Sequence, residues 1–464
     1  MVFSSLTFLF AFLPIALLGY YLLPQKLRIG FLLLVSLVFY AWGEPVYVLL
    51  MVVSVAVNWT IGLLLDRSVR RKKLWLILAV VCNLLLLGVF KYAGLFWDVV
   101  RPLFAEPLRS HTLHIRLPIG ISFFTFQSLS YVIDLYRGKA RVQRNPIVFG
   151  AYVSMFPQLI AGPIVRYVDI EQQLRCPDIS VRAFADGIGQ FVYGLAKKVL
   201  LANAVGLLWT EISSAPAASG IFGAWVGLLA YTFQIYFDFS GYSDMACGLG
   251  RMFGFRFVRN FNDPYIAQSI SDFWRRWHIS LSVWFREYVY IPLGGNRKGP
   301  IRQVLNLLIV WGLTGLWHGA SWNFILWGLW FGVLLIVEKL FLFRALERIP
   351  RLLRHLYTML FVMLGWCIFA LPDFSAMSAY FGALTGIRAD GFLSPTAAAW
   401  TIGYLPLLIV SAAASTPVFA VLGQRLKRYG WFPYAKLALL CTLFVLCIAA
   451  LASQSYNPFI YFRF

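Results

Sequence analysis

The chain has 464 residues, of which 60% are hydrophobic and 13% charged, and its mean hydropathy is +0.75. This composition excludes a water-soluble globular protein, because a soluble core cannot hold so much apolar surface. The net charge of +21 does not indicate nucleic-acid binding, since Lys and Arg are dispersed through short loops between apolar runs. We expect these cations to set the membrane topology and to attract anionic lipids or an anionic substrate.

Apolar windows long enough to cross a bilayer follow one another from residue 5 almost to the last residue. A spanning helix needs about 20 such residues, so the sequence predicts an all-α, polytopic integral membrane protein of roughly 10 to 12 helices. Since no long hydrophilic block interrupts the windows, residues 1–464 are expected to form a single membrane-embedded domain. No basic segment precedes the first apolar run, which favours an uncleaved membrane helix over a signal peptide.

Basic loops predict the orientation of the first helices. Residues 66–73 form the most basic early loop and are expected to be cytoplasmic. Counting helices from this loop places Lys26 and Arg28 on the same side. The N-terminus and the turn at residues 43–46 are then expected on the outer side.

Helix-breaking residues interrupt three apolar segments, at residues 118–120, 161–163 and 292–295. Irregular backbone persists at membrane depth only where protein or a watery cavity satisfies its polar groups. We therefore interpret these breaks either as broken or re-entrant segments around a central tunnel, or as ordinary turns between helices.

A polar patch lies inside the apolar segment 225–255. Asp238 and Tyr242 are four residues apart, as are Ser240 and Asp244, so each pair shares a face of the predicted helix. Carboxyl groups in such surroundings are costly and tend to have functional partners. The patch is interpreted as a structural polar network or, alternatively, as a tunnel lining or relay.

Residues 271–284 predict an amphipathic helix at the membrane surface. Ser269 and Asp272 have the spacing of a capping box and are expected to begin it. His278 lies on the apolar face, so we expect its ring to point inward. The apolar face comprises Trp274, Trp277, His278, Leu281, Trp284 and Phe285, and the basic flank includes Arg275, Arg276 and Arg286.

A second histidine, His318, lies within the nearly continuous apolar stretch 304–337, and Ser321 and Asn323 follow it closely. An imidazole in low-dielectric surroundings stays uncharged near pH 7 and can accept a proton, as a general base must. The alternative is a core histidine whose two ring nitrogens are simply hydrogen-bonded.

Other chemistries lack their motifs. There is no HExxH sequence, no cysteine cluster and no carboxylate at ligand spacing from His318, so no metal site is expected. The sequence has no GxSxG elbow, so a serine hydrolase is not indicated.

Basic residues within 251–302 would attract an anionic, phosphate-bearing donor such as coenzyme A. Ordinary positive-inside loops are the alternative.

Together these motifs resemble the membrane-bound O-acyltransferase family, specifically its bacterial branch of alginate O-acetylation membrane proteins. The resemblance runs over most of the chain. It rests on Met1-Val-Phe-Ser-Ser5, Pro118-Ile-Gly-Ile-Ser-Phe-Phe-Thr-Phe-Gln127, Phe156-Pro-Gln-Leu-Ile-Ala-Gly-Pro163, Phe237-Asp-Phe-Ser-Gly-Tyr-Ser-Asp244, Asp272-Phe-Trp-Arg-Arg-Trp-His278, Trp317-His-Gly-Ala-Ser-Trp-Asn323 and Asn457-Pro-Phe-Ile-Tyr-Phe-Arg-Phe464.

The resemblance implies that His318 matches the catalytic histidine of the family and His278 its second motif histidine. It also implies a multi-pass protein of the bacterial inner membrane, so that the outer side expected for the N-terminus is the periplasm, and acetyl-CoA as the cytoplasmic acyl donor, with no bound cofactor. In this branch the acetyl group passes through a membrane tunnel to a periplasmic or membrane-anchored serine acetyltransferase of GDS type. That partner modifies an exported polysaccharide within a synthesis and export complex.

On this basis we expect His318 to deprotonate or orient the hydroxyl that attacks the acetyl thioester, and His278 to help position the reactants. A covalent acetyl-histidine relay is the open alternative. Asn323 is a candidate donor to the developing oxyanion. The expected substrate-binding residues are Asn323, Ser321, Trp317, Trp277, Arg275, Arg276, Asp238, Tyr242 and Asp244.

Two other functions compete with the acyltransferase. One is an ion-coupled transporter in which Asp238, Asp244 and the histidines relay ions at broken helices. The absence of an internal repeat of the histidine region favours the enzyme. The other is a non-catalytic scaffold of a polysaccharide export complex.

Overall fold

The computed structural model describes residues 1–106, 110–113, 115–453 and 460. Within these ranges the regular secondary structure is entirely helical, as the sequence predicted. The closing motif at residues 457–464 lies outside the described residues except for Ile460.

Many short helices accompany the long ones. The α-helices are α1 (Leu13–Leu22), α2 (Gln25–Gly43), α3 (Tyr47–Arg67), α4 (Lys72–Leu87), α5 (Ala93–Val100), α6 (Ile121–Tyr136), α7 (Pro146–Ser154), α8 (Phe156–Leu159), α9 (Tyr167–Arg175), α10 (Val181–Ala196), α11 (Asn203–Ser214), α12 (Gly220–Met252), α13 (Ile270–Arg276), α14 (Ile279–Phe285), α15 (Pro300–His318), α16 (Trp322–Val337), α17 (Phe343–Arg348), α18 (Arg351–Ala370), α19 (Phe374–Thr385), α20 (Pro395–Ala414), α21 (Val418–Leu426) and α22 (Phe432–Ser453). Five π-helical segments are described, at Phe8–Phe12, Gly88–Tyr92, Lys197–Ala202, Arg286–Tyr290 and Glu338–Leu342. Arg101–Leu103 and Pro264–Ile266 are 3₁₀-helical.

Among the described residues, nine helical segments are long and apolar enough to cross a membrane. They run from Gln25–Gly43 to Phe432–Ser453, and the shorter apolar segment Phe8–Leu22 precedes them. A polytopic membrane protein is thereby confirmed. Near the carboxyl end of the chain, α18, α20 and α22 are among these segments.

One compact unit comprises Met1–Phe191 and Tyr242–Arg259. Within it, α2 and α3 pack against α7, and α3 and α4 pack against α6. Rings of Phe8, Phe39 and Phe156 cluster at centroid distances of 5.5 to 6.3 Å. Such aromatic packing buries large apolar areas and fixes the helices of this unit.

A second compact unit comprises Val192–Gly241 and Asn260–Phe464. Here α15 packs along α16, α16 packs against α18, and α13 contacts both α16 and α18. The core between these helices is largely aromatic and includes Trp327, Phe331 and Trp366, each at most 1% exposed. The single domain expected over residues 1–464 stays a prediction.

The three predicted breaks differ in structure. Residues 118–120 form the turn before α6, where Gly120 has a φ of +77° and a Cβ would crowd the carbonyl oxygen of Leu159. Residues 161–163 are buried irregular backbone after α8, whereas Pro292 is exposed in a turn. The broken-segment interpretation therefore fits the second break, and an ordinary turn fits the third.

Candidate active site

His318 is the last residue of α15, where the chain turns towards α16. The residue is buried, with 7% of its surface exposed. Its imidazole is nearly perpendicular to two aromatic rings, at centroid distances of 4.9 Å from Trp327 and 5.4 Å from Phe369. The apolar stretch 304–337 is therefore two helices, and His318 lies where the first one ends.

Two polar residues expected to assist His318 close this turn. The Ser321 hydroxyl donates to the side-chain oxygen of Asn323. Asn323 Nδ2 donates to the carbonyl oxygen of Phe369 at 3.2 Å, so the buried amide ties the start of α16 to the end of α18. These contacts hold the turn. The oxyanion role expected for Asn323 stays a prediction.

The helices α15 and α16 approach so closely that glycine is required between them. A Cβ on Gly328 would overlap the carbonyl oxygen of Trp311, and a Cβ on Gly315 would overlap that of Phe324. Small residues that let backbones touch are the usual means of holding helices together in apolar surroundings. This contact fixes the helix end that carries His318.

His278 joins two short helices, α13 and α14. Trp277 has an extended backbone, and His278 adopts the left-handed conformation with a φ of +44°. The single helix predicted over residues 271–284 is therefore wrong, because the chain breaks at these two residues. The predicted start is confirmed, since the Ser269 hydroxyl oxygen accepts a hydrogen bond from the Asp272 N–H at 2.9 Å.

Asn260 holds the break at His278. Its backbone carbonyl accepts from the Ile279 N–H at 2.9 Å, and its side-chain oxygen accepts from the N–H and hydroxyl of Ser280 at 3.1 and 2.9 Å. These bonds satisfy N–H groups at the start of α14, which a helix cannot satisfy internally. A left-handed conformation costs a non-glycine residue about 1–3 kcal/mol, which the Asn260 contacts offset.

One tryptophan contacts both imidazoles. The Trp317 ring centroid lies 5.8 Å from that of His278 and 5.0 Å from that of His318. His278 also contacts the ring of Phe239 at 4.7 Å. The structure therefore brings together the two histidines and the neighbouring tryptophan that the sequence singled out.

Burial keeps His278 uncharged. The residue lies outside the nine candidate membrane spans and is 1% exposed. Within the described part of the chain, neither ring nitrogen has a hydrogen-bond partner on another residue. Loss of hydration lowers the pKa of His278 from 6.5 to about 3. The neutral ring is available to hydrogen-bond a group that enters the site.

Sequence analysis missed Glu338, whose carboxyl group is buried just beyond α16. One of its oxygens accepts from the Ile270 N–H at 2.7 Å. The other accepts from the N–H and hydroxyl of Ser271 at 2.8 and 2.6 Å. Glu338 thus anchors the start of α13, the helix before His278. The available signal was a carboxyl group inside an apolar run, which usually has a specific partner.

Other predicted site residues of this unit divide between core and surface. Trp277 is buried and its ring lies 4.8 Å from that of Trp366. Arg276 pairs with Asp272 at 3.0 Å. Arg275 is exposed and has no ion pair within the described residues. Of the two arginines, Arg275 is the one whose charge is available to an anion.

Asp238 forms a buried ion pair. Its Oδ1 lies 2.5 Å from Lys198 Nζ, and both side chains are 3% exposed. Its other oxygen accepts from the Ile460 N–H at 2.8 Å, and Lys198 also donates to Asn203 at 2.9 Å. These contacts support the structural-network interpretation of this residue. A relay role stays a prediction.

Tyr242 and Asp244 belong to the compact unit that contains the N-terminal helices. The buried Tyr242 ring stacks on Phe3 at 4.6 Å, and Asp244 accepts from Gln190 Nε2 at 3.3 Å. The helix α12 is continuous through this patch, which confirms the helix on which residues four apart, such as Ser240 and Asp244, share a face. The binding roles expected for both residues stay predictions.

Comparison with known proteins identifies the family. The model of the membrane-bound O-acyltransferase family matches residues 139–378, which include both histidines. A probable alginate O-acetylase, AlgI of Pseudomonas putida, is 40% identical over 100% of both chains. The peptidoglycan O-acetyltransferase of Helicobacter pylori is 37% identical over 84% of this chain and 80% of that protein. The teichoic acid D-alanyltransferase of Bacillus subtilis is 29% identical over 53% of this chain and 65% of that protein. The chain belongs to the membrane-bound O-acyltransferase family.

Proposed function

We propose that this chain takes acetyl groups from cytoplasmic acetyl-CoA and moves them across the bacterial inner membrane for O-acetylation of an exported polysaccharide. Relatives named for the acetylation of alginate and of peptidoglycan support both the acetyl group and the glycan. The observation that carries the proposal is the pair of buried imidazoles, His278 and His318, in contact with one Trp317 ring.

His318 acts as the general base. Its imidazole takes the proton of the acceptor hydroxyl while the hydroxyl oxygen attacks the carbonyl carbon of the thioester. The tetrahedral intermediate collapses when the C–S bond breaks, and the coenzyme A thiolate takes the proton back from the imidazolium. The products are an acetyl ester and free coenzyme A, and His318 is regenerated. Such a base contributes typically about 10²- to 10⁴-fold to the rate.

His278 positions the reactants. A neutral imidazole has one N–H to donate and one lone pair to accept. The ring keeps both for a bound group, because no other described residue hydrogen-bonds to it. In a water-excluded site such hydrogen bonds are stronger than in water. The Trp317 ring contacts both imidazoles.

The acceptor hydroxyl comes from a partner, a periplasmic or membrane-anchored serine acetyltransferase within a polysaccharide synthesis and export complex. The donor approaches from the opposite side, where basic loops attract the phosphates of coenzyme A. Arg275, which is exposed near the His278 break, is a candidate contact for these phosphates. The N-terminus lies on the periplasmic side in this arrangement.

The proposal is tested with the purified full chain in nanodiscs, radiolabelled acetyl-CoA and a small alcohol as acceptor. We expect release of coenzyme A to fall at least about 100-fold in His318→Ala. His111→Ala, which removes an exposed histidine, is the matched control and should keep wild-type turnover. Wild-type turnover in a folded His318→Ala variant would falsify the assignment.

Two further readouts separate the alternatives. Acid-quenched protein that retains label in the wild type but not in His318→Ala supports a covalent acetyl-histidine in place of direct transfer. In cells, a scaffold predicts that polymer acetylation survives His318→Ala but not deletion of the chain. The acyltransferase predicts that both changes abolish it.

A further inference from the structure

A pocket of about 650 Å³ lies within the unit that contains the N-terminal helices. It is formed by the first turn of α2, the loop before α7, the first turn of α7 and the end of α9. Three cationic side chains line it, Lys26, Arg144 and Arg175, and no carboxyl group does. Its volume suits a small ligand or a headgroup, and its charge selects an anion.

Neighbouring carboxyl groups leave this charge largely uncompensated. Arg144 Nη2 lies 3.8 Å from Asp66, and both side chains are well exposed, so the pair is weak. Arg175 pairs with Glu171 at 3.0 Å, which still leaves most of the guanidinium donors available. Lys26 is exposed and has no ion pair in the part of the chain that the structure describes.

Polar contacts fix the walls of the pocket in advance. Gln143 donates from Nε2 to the Tyr167 hydroxyl at 3.1 Å and accepts from the Asn145 N–H at 3.0 Å. Asn145 in turn accepts from the first-turn N–H groups of α7. The start of α2 has no side-chain cap, because Pro24 precedes it. The positive end of that helix dipole therefore opens on the pocket and adds to its attraction for an anion.

The position of the pocket favours a lipid. Lys26 is the second residue of a candidate membrane span, so the pocket lies at the end of that span. Leu27 and Ile147, beside the lining residues, are 55% and 48% exposed and can contact acyl chains. Cations at the end of a span meet the phosphates of anionic lipids.

We propose that this pocket binds the phosphate of an anionic phospholipid. Lys26, Arg144 and Arg175 supply charge-assisted hydrogen bonds to the phosphate oxygens. The apolar side chains of Ile29 and Val148, which also line the pocket, pack against the glycerol end of the lipid. The pocket shares no lining residue with the histidine site and the proposal does not depend on the proposed acetyl transfer.

The test uses the full chain in nanodiscs of phosphatidylcholine with a minor fraction of phosphatidylglycerol, followed by native mass spectrometry of the retained lipids. The pocket variant is Lys26→Gln/Arg144→Gln/Arg175→Gln. The matched control, Arg70→Gln/Arg71→Gln/Lys72→Gln, removes the same charge from another exposed basic loop. We expect the preference for phosphatidylglycerol to fall roughly fivefold per cation, on the order of 100-fold for the pocket variant. The control should lose less than about threefold, because its charges do not line the pocket and salt screens exposed charges.

A second variant keeps the charge and fills the space. Ile29→Trp leaves all three cations in place and should also lose the retained phosphatidylglycerol, while gel filtration shows an intact fold. If the triple variant and Ile29→Trp both retain this lipid like the wild type, the pocket is not the site. If inorganic phosphate binds the wild type but phosphatidylglycerol is not retained, the site is one for a soluble anion and the lipid proposal is wrong.

Discussion

Glu338 accepts two hydrogen bonds from Ser271, one from the backbone N–H at 2.8 Å and one from the hydroxyl at 2.6 Å. Ser271 lies in the first turn of α13, which ends two residues before His278. Glu338 follows α16, which begins just after the His318 turn. This contact thus connects the two chain segments that carry the imidazoles.

Removal of this carboxyl group should affect both stability and acetyl transfer. In Glu338→Ala, the buried N–H groups of Ile270 and Ser271 lose their acceptor, and we expect a loss of about 2–4 kcal/mol. Displacement of α13 should slow transfer about tenfold to 100-fold, since catalysis is sensitive to small misplacements. Unfolding in detergent and coenzyme A release measure the two effects. Glu347→Ala, at an exposed position nearby, should change neither, and an equal loss there would contradict the anchor role.

The close contact of α15 and α16 predicts opposite results at two glycines. Gly328→Ala forces a methyl group against the Trp311 carbonyl, and we expect destabilisation of about 1–3 kcal/mol. At Gly312 an added Cβ meets nothing within 4 Å, so Gly312→Ala should stabilise α15 by up to about 1 kcal/mol. The thermal unfolding midpoints should therefore move in opposite directions. If the unfolding midpoint rose in Gly328→Ala as it does in Gly312→Ala, the tight contact between α15 and α16 would be excluded.

Because His278 has a left-handed backbone, two substitutions at this position can test backbone strain and the role of the imidazole separately. His278→Gly removes the imidazole and the strain, whereas His278→Ala removes only the imidazole, so the alanine variant should be less stable by roughly 1 kcal/mol. At the helical Ile279 the order should reverse, with Ile279→Ala more stable than Ile279→Gly. Acetyl transfer should fall equally in both His278 variants. Full activity in His278→Gly would show that the imidazole takes no part.

The lowered pKa of His278 makes stability depend on pH. Because the folded pKa is about 3 and the unfolded pKa about 6.5, the unfolded chain takes up a proton first as the pH falls. The folded state should therefore lose about 2 kcal/mol between pH 6.5 and pH 5 from this residue. His278→Asn, which tolerates the left-handed backbone and cannot titrate, should remove that part of the slope. The control His111→Asn should keep it, and an identical slope in all three proteins would contradict the burial argument.

The buried ion pair of Asp238 and Lys198 predicts that substitutions of the two residues have non-additive effects on the free energy of unfolding. Asp238→Ala leaves Lys198 charged and buried, which should cost about 3–5 kcal/mol. Replacing both partners, with Asp238→Leu and Lys198→Met, should recover much of that loss, because no unpaired charge remains. If the pair is only structural, the double variant should also transfer acetyl groups. A stable but inactive double variant would instead support a relay.

The two histidines could be found from the sequence because ionisable side chains are rare in apolar runs, and that rarity is visible without a structure. The helix break at His278 could not. Periodicity reports the faces of a segment, whereas the break depends on hydrogen bonds from Asn260, which lies 20 residues away from Ser280. Such tertiary contacts override local helix preference.

The partners of the buried carboxyl groups could not be predicted from the sequence for the same reason. Asp238 was recognised as costly in its surroundings, but its contact with Ile460 joins residues 222 positions apart. Glu338 contacts α13 over a separation of 67 and 68 residues. No local pattern encodes such pairings, because they arise only when helices pack.

Asn260, His278, His318 and Glu338 all fall within residues 260–338, and the anchoring bonds of both carboxyl and amide are made inside that range. When chimaeras of this chain with its relatives are engineered, residues 260–338 are therefore the segment to exchange as one piece. Crossovers placed outside residues 260–338 carry the anchors and the imidazoles from one parent. A crossover between Ser271 and Glu338 would pair an anchor from one parent with a helix from the other.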